Sequence, residues 1–384
     1  MAQVLPFRAY RYNPERIDEI GDVLTQPYDK ISPAMLRDYL GRHPCNIARV
    51  IKNRNHQDAG QLLKQWMQEG DLKQDDLSSF YPYEQEFEFD GQSFSRMGLI
   101  GLVSLEGGAV SVKGHEQVLD EQLEDRLNLL RSTESNKGLI FMLYRDSSKV
   151  VDQLLTEFKQ QHTPIAQVVD NNQVSHRLWQ LFETGLQERI TETLNSPRLY
   201  IADGHHRFQS SLLYFQECRE KGWKTAASES FDKRMIALFN MESAAVKILP
   251  THRGIRNLIG FDLSRLLSRL EPNFEVQRVV DLPELEREMQ GTGARIGLVA
   301  ESHPTYYALR LREKMESDST FMPGLTGPAR KLDVNVLHEG VLSPFLGIGA
   351  QELASEKHVD YFRDRSELIS RLGERHYQLA FILN

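Results

Sequence analysis

Apolar positions along the chain change their period several times, and each change marks an element. In "HQDAGQLLKQWMQEGDL" they recur at helical spacing, which predicts a short amphipathic helix. Upstream, "QPYDKISPAMLRDYLG" predicts another, with Ser32 as cap, Pro33 at the first helical position and Gly41 as the stop. From residue 81 the period switches to two. Tyr81, Tyr83, Phe87 and Phe89 alternate with Pro82, Glu84, Glu86 and Glu88, and Asp90-Gly91 then leads into "FSRMGLIGLVSL", the pattern of a hairpin. Leu119, Leu123, Leu127 and Leu130 stripe a helix in "DEQLEDRLNLLRST", and the apolar run "GLIFMLYRD" predicts a buried strand.

Residues 174 to 194 read as one long helix through Val174, Leu178, Leu181, Phe182, Leu186 and Ile190, ended by Asn195-Ser196-Pro197. "RLYIA" then predicts a short strand and "FQSSLLYFQECREKG" a helix ending at Gly222. Further on, "RMIALFNM", "AVKILPTHR", "ARIGLVAES", "TYYALRLRE" and "YQLAFILN" read as strands. "FDLSRLLSRLEP", capped by Asp262, and "LPELEREMQG" read as helices among them. Alternation of this kind throughout points to a mixed α/β (α+β) protein, with a domain boundary expected near residue 241.

Composition narrows the class. The 384 residues are many for one compact domain, and 40% hydrophobic with 26% charged residues is ordinary for a soluble globular chain. A net charge of -8 argues against a nucleic-acid partner, which needs a basic surface, although a local basic patch stays open. Two cysteines, Cys45 and Cys218, make no disulfide framework and no zinc pair. The N-terminus lacks a signal-peptide layout, and "MGLIGLV" is too short to span a bilayer. A cytoplasmic protein is expected.

Candidate chemistry concentrates in "YIADGHHRFQSS" (200–211), on the expected strand-to-helix turn. Gly204 at the helix mouth lets the backbone turn sharply and approach a ligand. The first helical N–H groups lack helical partners and the dipole is positive there, so the turn is suited to an anion. Arg207 in the first turn leans back toward the same spot, where a guanidinium binds phosphate through two bonds. His205 and His206 add donors, and Asp203 is suited to a hydroxyl, a histidine tautomer or a magnesium ion. The use consistent with all five is a phosphate group. The plain alternative has Asp203 capping the helix, Gly204 turning the chain and the histidines solvated. A metal on Asp203 and His205 is a third reading, but no further ligand motif stands near.

Other polar residues divide between site and scaffold. Tyr28 and Asp29 lie in the loop ahead of a helix, with Asp29 either a base or a turn residue. Asn46 and Arg49 bind substrate or brace a loop. His115 and Glu116 precede the leucine-striped helix, whose Arg126 and Arg131 are either clamps or surface charges. Thr251, His252 and Arg253 follow the apolar "VKILP", and strand ends often line clefts. Asp333 and His338 are five apart, so they share a helical face poorly. "GTGARIG" (291–297) precedes a strand and is no dinucleotide fingerprint, and neither GxxxxGK[ST] nor GxSxG occurs. The aromatics at 81–89 read as sheet core rather than a base-stacking platform.

"IADGHHRF" resembles the phosphate-binding turn of the ParB/sulfiredoxin-like fold, which includes nucleotide-using partition proteins and free-serine kinases. The wider chain resembles a bacterial and archaeal family catalogued as domain of unknown function ten-fifteen. The resemblance runs through "QPYD" (26–29), "CNIARV" (45–50), "KGHEQVLDEQLEDRLNLLRST" (113–133), "ADGHHR" (202–207), "LPTHR" (249–253) and "LDVNVLHEGVL" (332–342). Two departures are Gln26, where the family usually has a second Pro, and the ending "AFILN", where a Pro/Lys/Thr- and aromatic-rich tail is expected.

The resemblance implies a ParB/sulfiredoxin-like nucleotide domain over residues 1–240 with an insertion at about 60–195, then a strand-rich α/β domain over 241–384. It implies a phosphotransferase acting on a small hydroxylated metabolite, with ATP, ADP or another nucleotide and magnesium as cofactors. No haem, flavin, NAD or structural zinc is expected. Gly204, His205, His206 and Arg207 would then bind phosphate, with Asp203 orienting a histidine or the metal. Asp29, Glu116 and His206 would be the catalytic groups. Tyr28, Asn46, Arg49, His115, Arg126, Arg131, His252 and Arg253 would bind substrate. The rivals are a nucleotide-binding regulator without small-molecule turnover and a metal-assisted phosphoester hydrolase. Neither membrane nor nucleic acid is expected as a partner, and a homo-oligomer stays open.

Overall fold

The structure, a computed structural model, describes residues 3–89, 91–106, 112–114, 120–195, 198–225, 230–247, 249–300, 304–354, 357–373 and 376–384. It is mixed α/β and divides into two compact units, Met1–Lys247 and Ile248–Asn384.

The strands of the first unit are β1 (Val4–Leu5), β2 (Tyr10–Tyr12), β3 (Leu72–Gln74), β4 (Tyr81–Phe89), β5 (Gln92–Ser104), β6 (Val112–Lys113), β7 (Ile140–Tyr144), β8 (Ala166–Val169), β9 (Ser175–Leu178), β10 (Leu199–Asp203) and β11 (Lys233–Asn240). β2 and β3 pair with each other. The rest form a nine-stranded sheet in the order β6-β10-β7-β11-β5-β4-β9-β8, with β1 attached to β5. β7 and β11 run parallel, as do β6 and β10, and the other pairs are antiparallel.

The central strands are apolar because both faces of the sheet are covered. Ile140, Met142, Tyr144, Ile236, Leu238, Leu99 and Val103 pack on one face with the helix Val150–Gln161. Phe141, Ala237, Phe239, Ile100 and Tyr83 take the other face, as the two-residue period requires. The hairpin forms as its alternation predicts, with Phe89 opposite Gln92, while Asp90 lies outside the described residues.

Local capping signals hold. Ser32 accepts from the Met35 amide at 3.2 Å to start the helix Pro33–Arg42, and Asn55 caps the helix His56–Glu69, which closes on Gly70 at φ +82°. Gly41 does not stop its helix. It lies one residue inside, and extended His43 ends it. The leucine-striped helix spans Asp120–Thr133, although Leu119 lies outside the described residues.

The long helix expected over 174–194 is a correction. Ser175–Leu178 is strand β9, Leu181 bridges to Phe80, and only Thr184–Leu194 is helical. The apolar spacing of three and four fits a helix, but backbone pairing with β4 and β8 makes Ser175–Leu178 a strand. Arg177 pairs with Glu84 at 3.0 Å and with Glu86 at 2.9 Å on neighbouring β4. "AVKILPTHR" is likewise not a strand in its described residues until His252, because an extended run without a paired neighbour is only a loop.

The second unit has β12 (His252–Ile255), β13 (Phe274–Val279), β14 (Arg295–Ala300), β15 (Thr305–Leu311), β16 (Val359–Phe362) and β17 (Leu379–Ile382). They form an antiparallel sheet in the order β13-β15-β14-β17-β12-β16. The helix Leu263–Leu270 starts where Asp262 accepts from the Arg265 amide at 2.8 Å.

Candidate functional site

β10 runs into the helix His205–Glu220 through Gly204, whose φ of +99° is a left-handed conformation that costs a side chain its usual freedom. Arg207 folds back over this turn. A Cβ on Gly204 would come within 3.1 Å of the guanidinium, and one on Gly138, at φ +73°, within 3.3 Å. The two glycines therefore flank a slot that the guanidinium fills. Its Nη1 donates to the Leu139 carbonyl and its Nη2 pairs with the exposed Asp203 carboxylate.

The turn opens on a cleft of about 1160 Å³ within the first unit. Its floor is the sheet face carrying Phe141, Ala237, Phe239, Arg96 and Gln85, and Tyr28, Arg126, Lys137, Asp203, Arg207 and Arg234 line it too. Five of these are cations, and three, Arg96, Lys137 and Arg234, have no carboxylate partner among the described residues. Buried Arg234 bonds to the Asn136 side chain and to the carbonyls of Lys137 (3.3 Å) and Gly138 (2.8 Å). Lys137 donates to Thr133, to the Ser135 carbonyl at 2.9 Å and to the Ser135 hydroxyl at 3.2 Å. Among the described residues no carboxylate pairs with either.

The electrostatic consequence is direct. Desolvation, reinforced by Arg234 and Arg126, pulls the Lys137 ammonium well below the usual lysine pKa of 10.5. Burial, then Arg207, lowers the Arg234 guanidinium. Arg126 lies 4.0 Å above the ring of Tyr28 and pairs with its neighbour Asp125. Positive charge gathered here with only two of its cations compensated favours an anion, because a bound anion relieves both the repulsion and the desolvation.

Of the residues singled out in the sequence, the structure brings Tyr28, Arg126, Asp203 and Arg207 together on the cleft. Asp29 stands exposed on the short 3-10 turn Tyr28–Lys30, 3.9 Å from Lys30. His206 is half-buried and His205 buried, its ring so close to Gly114 that a Cβ there would sit 2.9 Å away. His115 and Glu116 lie outside the described residues.

Others are occupied as scaffold. Asn46 is buried, donating to Asp22 O at 2.7 Å and accepting from the Ala48 amide at 2.9 Å. Arg49 donates to the Leu40 carbonyl. Arg131 is held by Glu217 and Glu124, stapling its helix to His205–Glu220. His252 and Arg253 belong to the second unit, where His252 accepts from the Leu383 amide at 3.1 Å and Arg253 lies 5.2 Å from the Tyr361 ring. In that unit Asp333 accepts from the Arg295 amide at 3.1 Å, and His338 opens a widened helical turn, His338–Leu342.

Lys137, Arg234 and Arg96 escape sequence reasoning. A signal was present: "KRMIALFN" and "SFSRMGLIG" each place an arginine in an otherwise apolar strand, and such a charge needs a partner or a ligand. No group of three or more His, Cys, Asp or Glu able to hold a metal occurs among the described residues, and no described helix is long and apolar enough to cross a membrane.

Fold and site together define a mixed α/β protein with a cation-rich cleft over one face of its larger sheet. The chain belongs to the family described as "Protein of unknown function (DUF1015)", which it matches over residues 4–335. No curated protein matches it. Among solved structures it is similar to a conserved hypothetical protein from Pyrococcus furiosus, at 13% identity, with 74% of this chain and 78% of that one covered and a TM-score of 0.33. It is also similar to a free serine kinase variant in complex with AMP, at 14% identity, 74% and 77% coverage and a TM-score of 0.35. A variant of free serine kinase in complex with ADP gives 14% identity, 74% and 76% coverage and a TM-score of 0.34.

Proposed function

We propose that the protein is a nucleotide-dependent phosphotransferase acting on a small hydroxylated metabolite, with a ParB/sulfiredoxin-like core around the 203–207 turn. One observation carries the reading: Lys137 and Arg234, cations with no carboxylate partner among the described residues, line one cleft with Arg207 and Arg126. Phosphoryl transfer asks a protein mainly for positioning and for neutralising charge on phosphate oxygens. Arg234 and Lys137 supply that charge from the wall. Arg207, held over Gly204 between the Leu139 carbonyl and Asp203, adds a fixed positive charge, and the helical N–H groups of the turn lie beside it.

The donor set fits a nucleotide phosphate. Magnesium asks for one or two carboxylates plus phosphate oxygens, and Asp203 offers an exposed carboxylate on the cleft. When bound, the metal supplies further charge neutralisation. Asp29 or Glu116 takes the proton of the acceptor hydroxyl, with His206 beside the phosphate as the other candidate proton-transfer group.

The test is calorimetric titration of ATP, ADP, CTP and pyrophosphate with magnesium into the protein and into Arg207→Ala. Loss of a charged phosphate contact costs about 1.5–3 kcal/mol, so affinity should fall roughly tenfold or more. Silence from both proteins removes the phosphotransferase reading.

A further inference from the structure

On the floor of the same cleft stands a further cation without a carboxylate, Arg96. Arg96 on β5 is half-buried, and burial lowers its pKa. No carboxylate pairs with it among the described residues. Its one hydrogen bond there runs from Nε to Gln85 Oε1 at 2.8 Å, which leaves the two terminal nitrogens of the fork uncommitted. Three aromatic rings hold the guanidinium, with centroids 5.2 Å away for Phe87 and 5.4 Å for both Phe141 and Phe239. A cation gripped this way is oriented without being neutralised.

The groups beside it are also fixed. His176 Nδ1 lies 2.6 Å from the Tyr83 hydroxyl and 3.4 Å from Gln85 Nε2, while its Nε2 lies 3.4 Å from Asp170. With the Gln85 amide nitrogen on the histidine, its oxygen faces Arg96, the orientation that satisfies both neighbours. All four side chains line the cleft.

Arg96 is set apart from Arg234 along the sheet. Arg234 pairs with Val103 across β11 and β5, and Arg96 lies seven residues (103 - 96) further along β5. Seven residues of strand span roughly 23 Å, so one phosphate group cannot meet both backbones' side chains in the same way. The charge also differs. A phosphate dianion suits the group of Arg126, Lys137, Arg207 and Arg234, whereas one planar fork matches a monoanionic carboxylate through two parallel bonds.

We propose that Arg96 is a second anion subsite, which binds the carboxylate of the acceptor, so that the substrate class is a small hydroxy acid. The word acceptor rests on the phosphotransferase reading; the carboxylate subsite does not. Gln85 is a positioning residue that sets the fork.

The experiment titrates D-glycerate, L-lactate, L-malate and L-serine into the protein, with and without ADP and magnesium. Glycerol, lactamide and malamide serve as neutral counterparts of the first three acids, and serinamide, which keeps the cationic amine, serves as the carboxylate-free counterpart of zwitterionic serine. At least one acid should bind about tenfold or more tightly than its counterpart, and Arg96→Met should lose at least about tenfold for that acid. ADP affinity should stay within about twofold in Arg96→Met, while Arg207→Ala should do the reverse. Arg96→Lys keeps the charge and the packing but not the fork, and should recover only part of the acid affinity; thermal melting checks both variants. The proposal falls if no acid binds, if acid and counterpart bind alike, or if Arg96→Met leaves acid binding intact. It falls equally if Arg96→Met weakens ADP as strongly as acid, because the subsite then serves the nucleotide. Failure of ADP to bind anywhere, with acid binding that still depends on Arg96, removes the phosphotransferase and leaves the carboxylate site standing.

Discussion

Lys137 shows how one residue's setting becomes a measurable property. Its folded pKa is depressed, chiefly by desolvation and then by Arg234 and Arg126. Above pH 10.5 neither folded nor unfolded lysine is charged. As pH falls below that value the unfolded chain takes up a proton and the folded one does not, so stability declines until the depressed folded pKa is reached. Lys137→Met removes this penalty. The ligand-free variant should therefore melt at a higher temperature than the wild type at pH 7, with the difference shrinking toward pH 10.5. Pyrophosphate affinity should fall roughly tenfold or more in the same variant. A lower melting temperature at pH 7, read by scanning calorimetry, would contradict the uncompensated charge. At this scale the 203–207 turn was legible, because a helix start, a glycine and an arginine within one turn interact over a few residues. Lys137 and Arg234 were not, because what marks them is the absence of a carboxylate in three dimensions.

Elements carry the next level of constraint. The helix His56–Glu69 packs on Asp120–Thr133 so closely that a Cβ on Gly60 would lie 2.2 Å from the Ser132 carbonyl oxygen, a backbone atom with little room to move. Alanine favours a helix over glycine by about 1 kcal/mol, yet overpacking of this kind costs typically about 1–3 kcal/mol. Gly60→Ala should therefore be destabilising on balance in urea unfolding, and pyrophosphate binding should weaken because Arg126 rides on the displaced helix. A variant as stable as the wild type would show that the two helices separate freely. The helix starts at Ser32 and Asp262 were readable because a cap is satisfied within three residues, and Asn55 and Gly70 bound their helix by the same local means although they were not singled out. The 174–194 segment was misread because the strand there exists by pairing with β4, far upstream, and with β8. The helix Val150–Gln161 went unread altogether, although its buried Val151, Leu154, Leu155 and Phe158 keep helical spacing.

At the scale of the whole molecule, two buried histidines of the second unit make stability depend on pH below 6.5. Burial, with Arg365 and Arg253 nearby, pushes His252 down to about 4, and burial with Arg253 pushes His338 to about 4 as well. The unfolded imidazole protonates near 6.5, so folding stability is lost from pH 6.5 downward and the loss is complete below about 4. For buried His252 this is on the order of 3 kcal/mol. Melting of the intact protein between pH 7 and 4 should fall steeply, and His252→Gln, which keeps an acceptor for the Leu383 amide, should flatten part of the slope. Equal slopes in both proteins would show that His252 does not titrate with unfolding.

Sequence by itself determined the local grammar of this protein: the alternating strands, the caps, the strand-to-helix turn at Gly204 and an order of motifs that belongs to one family. Each of these depends on neighbours within a few residues, or on a pattern that survives without coordinates. Tertiary structure decided which charges are left without partners. Arg96, Arg126, Lys137, Arg207 and Arg234 come from five separate stretches, and only the pairing of β7, β11 and β5 with the packing of two helices gathers them on one cleft. Desolvation and the distance to the next carboxylate are properties of that assembly, and they are what set Arg96, Lys137 and Arg234 apart as candidate anion-binding groups.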